Sequence, residues 1–195
     1  MQKIRKAMAS SKQFPLQGDV QVDEFVIGGK EENKQGRSYD TKKKKIVGAV
    51  ELTENRKIKR FYCKVIPDYS AKSLKPLFED HIDKEAKVQT DGWKGYNPIR
   101  EDYTIHSIKS IPGVTFNEIH TIIQNVKSWL RAIPTHVSKE HTQAYLDEFC
   151  YRLNRSIHLD SIFDNLIYRM VKHRKVFHNE LNYYRLEAGR FGNRL

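Results

Sequence analysis

From Gly18 the chain reads GDVQVDEFVIGG, and its side chains alternate. Val20, Val22, Glu24 and Val26 fall on one side, and Gln21, Asp23, Phe25 and Ile27 on the other. A period of two predicts a strand, and Gly28-Gly29 ends it. The run is restrictive because it sets Asp23 inside an apolar strand, where an uncompensated carboxylate is costly. Two further runs of strand character follow, KIVGAVEL (45–52) and KIKRFYCKVI (57–66), separated by the turn residues Thr53, Glu54 and Asn55. The spacing predicts three antiparallel strands in succession.

The pattern then changes. Ser70 is placed to cap a helix over AKSLKPLFEDHI, with Leu74, Leu77, Phe78 and Ile82 at helical spacing and Pro76 near its start. AKVQT predicts a short strand ending at Asp91-Gly92, and YTIHSI another. Beyond residue 115 the apolar period becomes helical. Thr115 with Glu118 reads as a capping box, and Ile119, Ile122, Ile123, Val126, Trp129, Leu130 and Ile133 form one stripe closed by Pro134. Ser138 and Ser161 are placed to cap two more helices, the last with Ile162, Phe163, Leu166, Ile167, Met170 and Val171 facing inward. Hairpin strands feeding a strand–helix–strand crossover predict an α/β fold, a mixed sheet covered by helices.

Charge narrows the choice of partner. Thirty-five Lys and Arg against 24 Asp and Glu leave a formal charge of +11, a field that attracts polyanions such as nucleic acid. The tetrad Lys42, Lys43, Lys44 and Lys45 is a candidate DNA-facing patch, although such a run is equally read as a solvated face. No apolar run approaches the roughly 20 residues of a membrane span. The basic N-terminus MQKIRKAMASSKQ lacks the apolar stretch of a secretory signal, so the expectation is a cytoplasmic protein with no membrane association. Two cysteines, Cys63 and Cys150, are too few for a zinc knuckle or a disulfide framework and read as reduced thiols.

Asp23 in one strand and Asp91 at the end of another are candidates for shared chemistry. Two carboxylates brought together repel, and a divalent cation held by hard oxygen ligands relieves that repulsion. Each Asp is equally read as a strand or turn terminator when taken alone. Four segments in order change the reading. VDEFVIGGK (22–30), TDGWKGY (90–96), HTIIQNVKSWL (120–130) and YLDEFCYRLNR (145–155) together resemble bacterial insertion-sequence transposases of the DDE superfamily, in the branch with Asn at the third catalytic position.

That resemblance implies a ribonuclease-H-like mixed five-stranded sheet flanked by helices, with a C-terminal helical extension. It implies a basic lead-in over 1–18, a catalytic domain over 19–155 and the extension over 156–195. Asp23 and Asp91 become metal ligands for a two-metal Mg²⁺ or Mn²⁺ site, and Asn125, 125 − 91 = 34 residues on, takes the third place. Lys127 accompanies it but stands about 200° around the helix, so a phosphate contact suits it better than a shared metal. Lys94, Arg131, Arg152 and Arg155 join the lysine tetrad as DNA contacts. Glu24 should point to the face opposite Asp23, and His120 reads equally as helix-start polarity or as a neighbour of the site.

The implied activity is metal-dependent strand cleavage and strand transfer at transposon ends, with DNA as partner and a dimer or higher assembly on it. A metal-dependent nuclease of the same fold and a non-catalytic DNA-binding remnant are the alternatives. Relatives carry an upstream end-recognition region, and residues 1–18 are too short for one. The expectation is therefore an excised or truncated catalytic domain.

Overall fold

The computed structural model describes residues 2–28, 43–111, 113–133 and 137–177. The chain divides into two compact units, Lys12–Ser128 and a second made of Met1–Ser11 with Trp129–Leu195. The first contains a five-stranded sheet. Its strands are β1 (Asp19–Ile27), β2 (Lys44–Leu52), β3 (Ile58–Ile66), β4 (Lys87–Thr90) and β5 (Ile105–Ser107), in the spatial order β3-β2-β1-β4-β5. The β1–β2 and β2–β3 pairs are antiparallel, and the β1–β4 and β4–β5 pairs are parallel. This is the mixed α/β sheet expected, with helices at its faces.

Helix α2 (Ala71–His81) supplies the crossover from β3 to β4. Pro76 lies inside it, past the first turn, and costs one intrahelical bond without ending it. Ser70 holds the N-cap position, but its side chain does not cap. Asp68 Oδ1 instead accepts from the Ser70 amide (2.9 Å), the Ser70 hydroxyl (2.5 Å) and the Ser73 hydroxyl (2.6 Å). Leu74, Leu77 and Phe78 bury fully against Val20, Val22, Val47, Ala49 and Val88, and Tyr96, Ile99 and Tyr103 complete this core. Each such apolar side chain contributes roughly 1.5–3 kcal/mol by leaving water. The other sheet face carries Gln21, Asp23 and Phe25 and receives α3 (Asn117–Arg131), through Gln21 to the Ile119 amide and Asp23 to His120. Gly48, opposite Asp23, lets the Phe61 ring approach to 2.9 Å of where a Cβ would stand.

The second unit is helical. Residues 2–8, expected only as part of a basic lead-in, form α1 (Gln2–Met8). Arg5 Nε donates to Glu148 Oε2 at 2.7 Å, and its guanidinium lies 3.8 Å from the Tyr145 ring centroid, both on α4 (Thr142–Leu153). A short 3₁₀ turn, Lys139–His141, follows Ser138, so α4 begins three residues later than a cap at Ser138 predicts. Helix α5 (Ile162–Lys172) departs from expectation. Its apolar residues do not face inward: Phe163 is 66% exposed and Val171 79%. Periodicity assigns residues to a common helix face but not the surface that covers it. Pro134 and Lys42 lie outside the described residues.

Cys63 and Cys150 are buried and form no disulfide. Among the described residues no helix is long and apolar enough to cross a membrane.

One core side chain titrates. His81 stacks on Tyr62, with ring centroids 4.4 Å apart, and burial, with Lys64 and Lys12 nearby, lowers its pKa to about 4 against the opposing pull of Asp80. Its folded pKa lies below the unfolded value of 6.5, so the unfolded chain takes up the proton first as pH falls. Stability is fully present above pH 6.5 and declines through the window down to about 4, by on the order of 3 kcal/mol in all. Urea denaturation between pH 7 and 4.5 should show this slope, and His81→Phe should flatten it.

Candidate active site

β1 runs on past the point where its parallel partner stops. The β1–β4 pairing ends at Gln21↔Gln89 and β4 itself at Thr90, whereas β1 continues to Ile27. Asp91 follows β4 directly. Gly92 adopts φ +84°, a left-handed conformation that glycine tolerates best, and turns the chain sharply. The Trp93 amide then donates to Asp91 Oδ1 at 3.0 Å. Asp23, in the unaccompanied part of β1, accepts at Oδ1 from the Glu24 amide (2.8 Å).

One ligand oxygen from each of Asp23, Glu24 and Asp91 lies within 4.8 Å of the others, and all three residues are half-buried. Glu24 does project to the face opposite Asp23, as alternation requires, where the buried Tyr96 hydroxyl donates to its Oε1. Its longer side chain nevertheless brings the carboxylate to the same strand end. Burial, followed by the neighbouring Glu24, Asp23 and Asp91 carboxylates, raises the Tyr96 pKa well above that of an ordinary phenol. Tyr96 therefore stays protonated and donates.

Beside the carboxylates is a cleft of about 380 Å³, lined by Asp23, Glu24, Phe25 and Val26 of β1, by Tyr69, and by His120, Ile123, Gln124 and Lys127 of α3. Asp91 is outside that lining but borders it through its proximity to Asp23 and Glu24. The α3 residues stand at i, i+3, i+4 and i+7, one helix face. His120 Nε2 is 3.4 Å from Asp23 Oδ2, and Lys127 Nζ is 5.8 Å from the Phe25 ring centroid. Asn125 is exposed on α3 and does not line the cleft. Helical spacing puts His120 on one face with Gln124 and Lys127, but the sequence carries no signal that this face, rather than that of Asn125, meets the acids.

Tertiary contacts hold α3 in place. The Thr115–Glu118 capping box does not form. Phe116 stands before the first helical residue with φ +61°, and Thr115 Oγ1 instead accepts from the Ile111 amide at 2.8 Å. Gln21, buried on β1, accepts from the Ile119 amide at 3.2 Å and donates to Glu118 Oε2 at 2.9 Å. It thus satisfies a helix-start donor that lacks an intrahelical partner. Arg56, in the β2–β3 turn, grips Glu118 with two bonds of 2.8 and 3.0 Å. Burial opposes ionisation of Glu118, but the bonds from Arg56 and Gln21 outweigh it and keep its pKa low.

The remaining basic candidates are placed as follows. Lys45 is only 7% exposed, and its ammonium turns to the Pro67 carbonyl at 3.4 Å. Lys43 and Lys44 are half-buried, and Lys94 and Arg131 are exposed. In the helical unit Arg152 pairs with Glu148 at 2.8 Å, and Arg155 donates to Asn165 Oδ1 at 3.2 Å.

The donor set suits a hard divalent cation. All three groups are carboxylate oxygens, the hard ligands that such ions take, and one from each lies within 4.8 Å of the others. Sheet order and acidic cluster are together consistent with a ribonuclease-H-like transposase domain. The family described as ISXO2-like transposase domain matches residues 15–154, and the chain belongs to that family. This is an insertion-sequence transposase domain of the DDE polynucleotidyl-transferase type, a class that binds DNA and generally uses a divalent metal. No curated protein and no solved structure matches the chain.

Because Gln21 accepts from the Ile119 amide and donates to Glu118, Gln21→Leu strands the buried amide and removes one bond to Glu118, which keeps its two from Arg56. Chemical denaturation should show a loss of about 1–3 kcal/mol.

Proposed function

We propose that the chain performs metal-dependent cleavage and strand transfer at transposon ends, with Asp23 and Asp91 as the residues that hold Mg²⁺ or Mn²⁺. The observation that supports it is the convergence of these two carboxylates, 68 residues apart in sequence (91 − 23), at one strand end beside an open cleft. When bound, a pair of such ions would activate water or a 3′-hydroxyl and stabilise the leaving oxygen of an in-line displacement at phosphorus.

The protein's own groups align and neutralise. Asp23 and Asp91 fix the position of the scissile phosphate relative to the sheet edge. His120, in contact with Asp23, takes the third place, and its imidazole can ligate or hold a proton at Nε2. The cleft lining favours it over Asn125 for that place. Lys127, on the same helix face, offers its ammonium to a DNA phosphate, as do Lys94 and Arg131 from exposed positions. Joining two transposon ends to one target requires two active chains, so this reading includes a dimer or higher assembly on DNA.

Asp23→Asn and Asp91→Asn should each reduce Mn²⁺-dependent nicking of a labelled end by 10³-fold or more, while filter binding of the same DNA changes less than about threefold. Cleavage at the wild-type rate by either variant overturns the assignment. A pre-cut end carrying a free 3′-hydroxyl separates transposase from nuclease, since only a transposase converts it to a joined product. His120→Ala should abolish nicking while Asn125→Ala retains at least a third of it. The reverse ranking would return the third place to Asn125.

A further inference from the structure

Helix α5 carries apolar residues on two sides, and the larger set faces water. On the inner side, with Ile162 and Leu166 half-buried, the Tyr151 hydroxyl donates to the Ile162 carbonyl at 2.9 Å and lies 3.1 Å from Asn165 Oδ1. Arg169, on that same side, donates to the Ala9 carbonyl just after α1. The opposite side carries Phe163, Ile167, Met170 and Val171 at i, i+4, i+7 and i+8, with Tyr168 beside them, and all five are exposed. Apolar side chains exposed singly are ordinary, whereas a contiguous stripe at helical spacing marks a surface that something covers.

The charges around the stripe select the occupant. Asp160 and Asp164 stand at the helix start, and Lys172 and Lys175 at its end, all four exposed. Asp164 and Lys172 flank the stripe on its Tyr168 side, where the Lys172 ammonium lies 4.6 Å from the Tyr168 ring centroid. A two-fold axis between antiparallel copies of α5 sets the acidic start of one against the basic end of the other, as a self-complementary patch requires. Parallel copies would oppose like charges. Nucleic acid would suit the lysines but not the aspartates, and Ile167, Met170 and Val171 offer no ring on which a base could stack.

The area is also sufficient. Side chains of this size present roughly 150–200 Å² each when fully exposed, so at the observed exposures the five leave about 500 Å² in water. Two stripes pressed together remove about 1,000 Å², the size at which specific interfaces begin.

We propose that α5 is a dimerisation helix. Two copies of this chain pair through Phe163, Ile167, Met170 and Val171, antiparallel about a two-fold axis near Ile167, with Asp164 facing the partner's Lys172. This goes beyond the function proposed above, because the pairing needs neither metal nor DNA.

The test is sedimentation velocity of the full chain without DNA or metal, over a concentration series in the micromolar range. The unaltered chain should sediment as a dimer. Ile167→Glu, which sets two carboxylates together at the axis, should weaken the dimer at least tenfold while the circular dichroism of the folded chain is retained. Asp164→Lys and Lys172→Asp should each weaken it severalfold, and the two together should restore it. Ile167→Cys should give a disulfide-linked dimer on mild oxidation, since Cys63 and Cys150 are buried. A chain that stays monomeric throughout the series overturns the proposal, as does a dimer indifferent to Ile167→Glu. Failure of the paired charge exchange to restore association overturns the antiparallel arrangement. A monomer that loses DNA affinity on Ile167→Glu assigns the face to nucleic acid, and one that loses thermal stability assigns it to a cover from its own chain; either result overturns the pairing. None of these outcomes bears on Mn²⁺-dependent nicking, which tests Asp23 and Asp91 separately.

Discussion

The stagger between β1 and β4 governs everything at the site. β4 has four residues and stops at Thr90, and β1, paired with it only as far as Gln21, continues for six more. A longer β4 would cover that edge with backbone hydrogen bonds and leave Asp23 and Glu24 as misplaced charges in a sheet. As built, the chain leaves β4 through a glycine turn that sets Asp91 beside the free edge. Carboxylates from both faces of β1 then reach one point. A divalent cation would relieve the repulsion between carboxylates so placed.

A second constraint keeps that point open on one side and bounded on the other. Helix α3 carries Ile119, Ile122, Ile123 and Val126 into the core, and burial supplies most of its stability. Burial alone would permit the helix to slide or rotate. Gln21 and Arg56, both outside the helix, grip its first turn through Ile119 and Glu118. They thereby set which residues of α3 face the acids. Phe116 adopts a left-handed backbone to enter the helix there, a strain of about 1–3 kcal/mol that its buried ring helps to offset. The outcome is His120 against Asp23 and Lys127 over Phe25.

Membership of the ISXO2-like transposase domain family agrees with this architecture, and the sheet is the mixed five-stranded one that the four sequence segments imply. The same segments imply Asn at the third catalytic position. The structure brings a histidine into contact with Asp23 five residues earlier on the same helix. The difference comes from rotation: an offset of five residues turns the helix by about 140° relative to its start, enough to carry Asn125 out to solvent. Charge runs translate least directly. Of the lysines preceding β2, Lys45 folds against Pro67 and Tyr69, because its place in the strand points it inward.

Much was legible in the residues themselves. Alternation and helical periodicity predict β1, β2, β3 and the helices α2 and α3, because burial of one face imposes those periods on any stable sheet or helix. The acids at 23 and 91 stand out because apolar strands rarely carry them. Local pattern says nothing about long-range register, and there the tertiary structure decided. It chose Gln21 over Thr115 to hold the start of α3 and His120 over Asn125 to face the site. It left the apolar stripe of α5 exposed and brought Glu24 around an open strand edge. Each of these depends on where a distant segment stops or packs, and a period of two or of 3.6 carries no information about that.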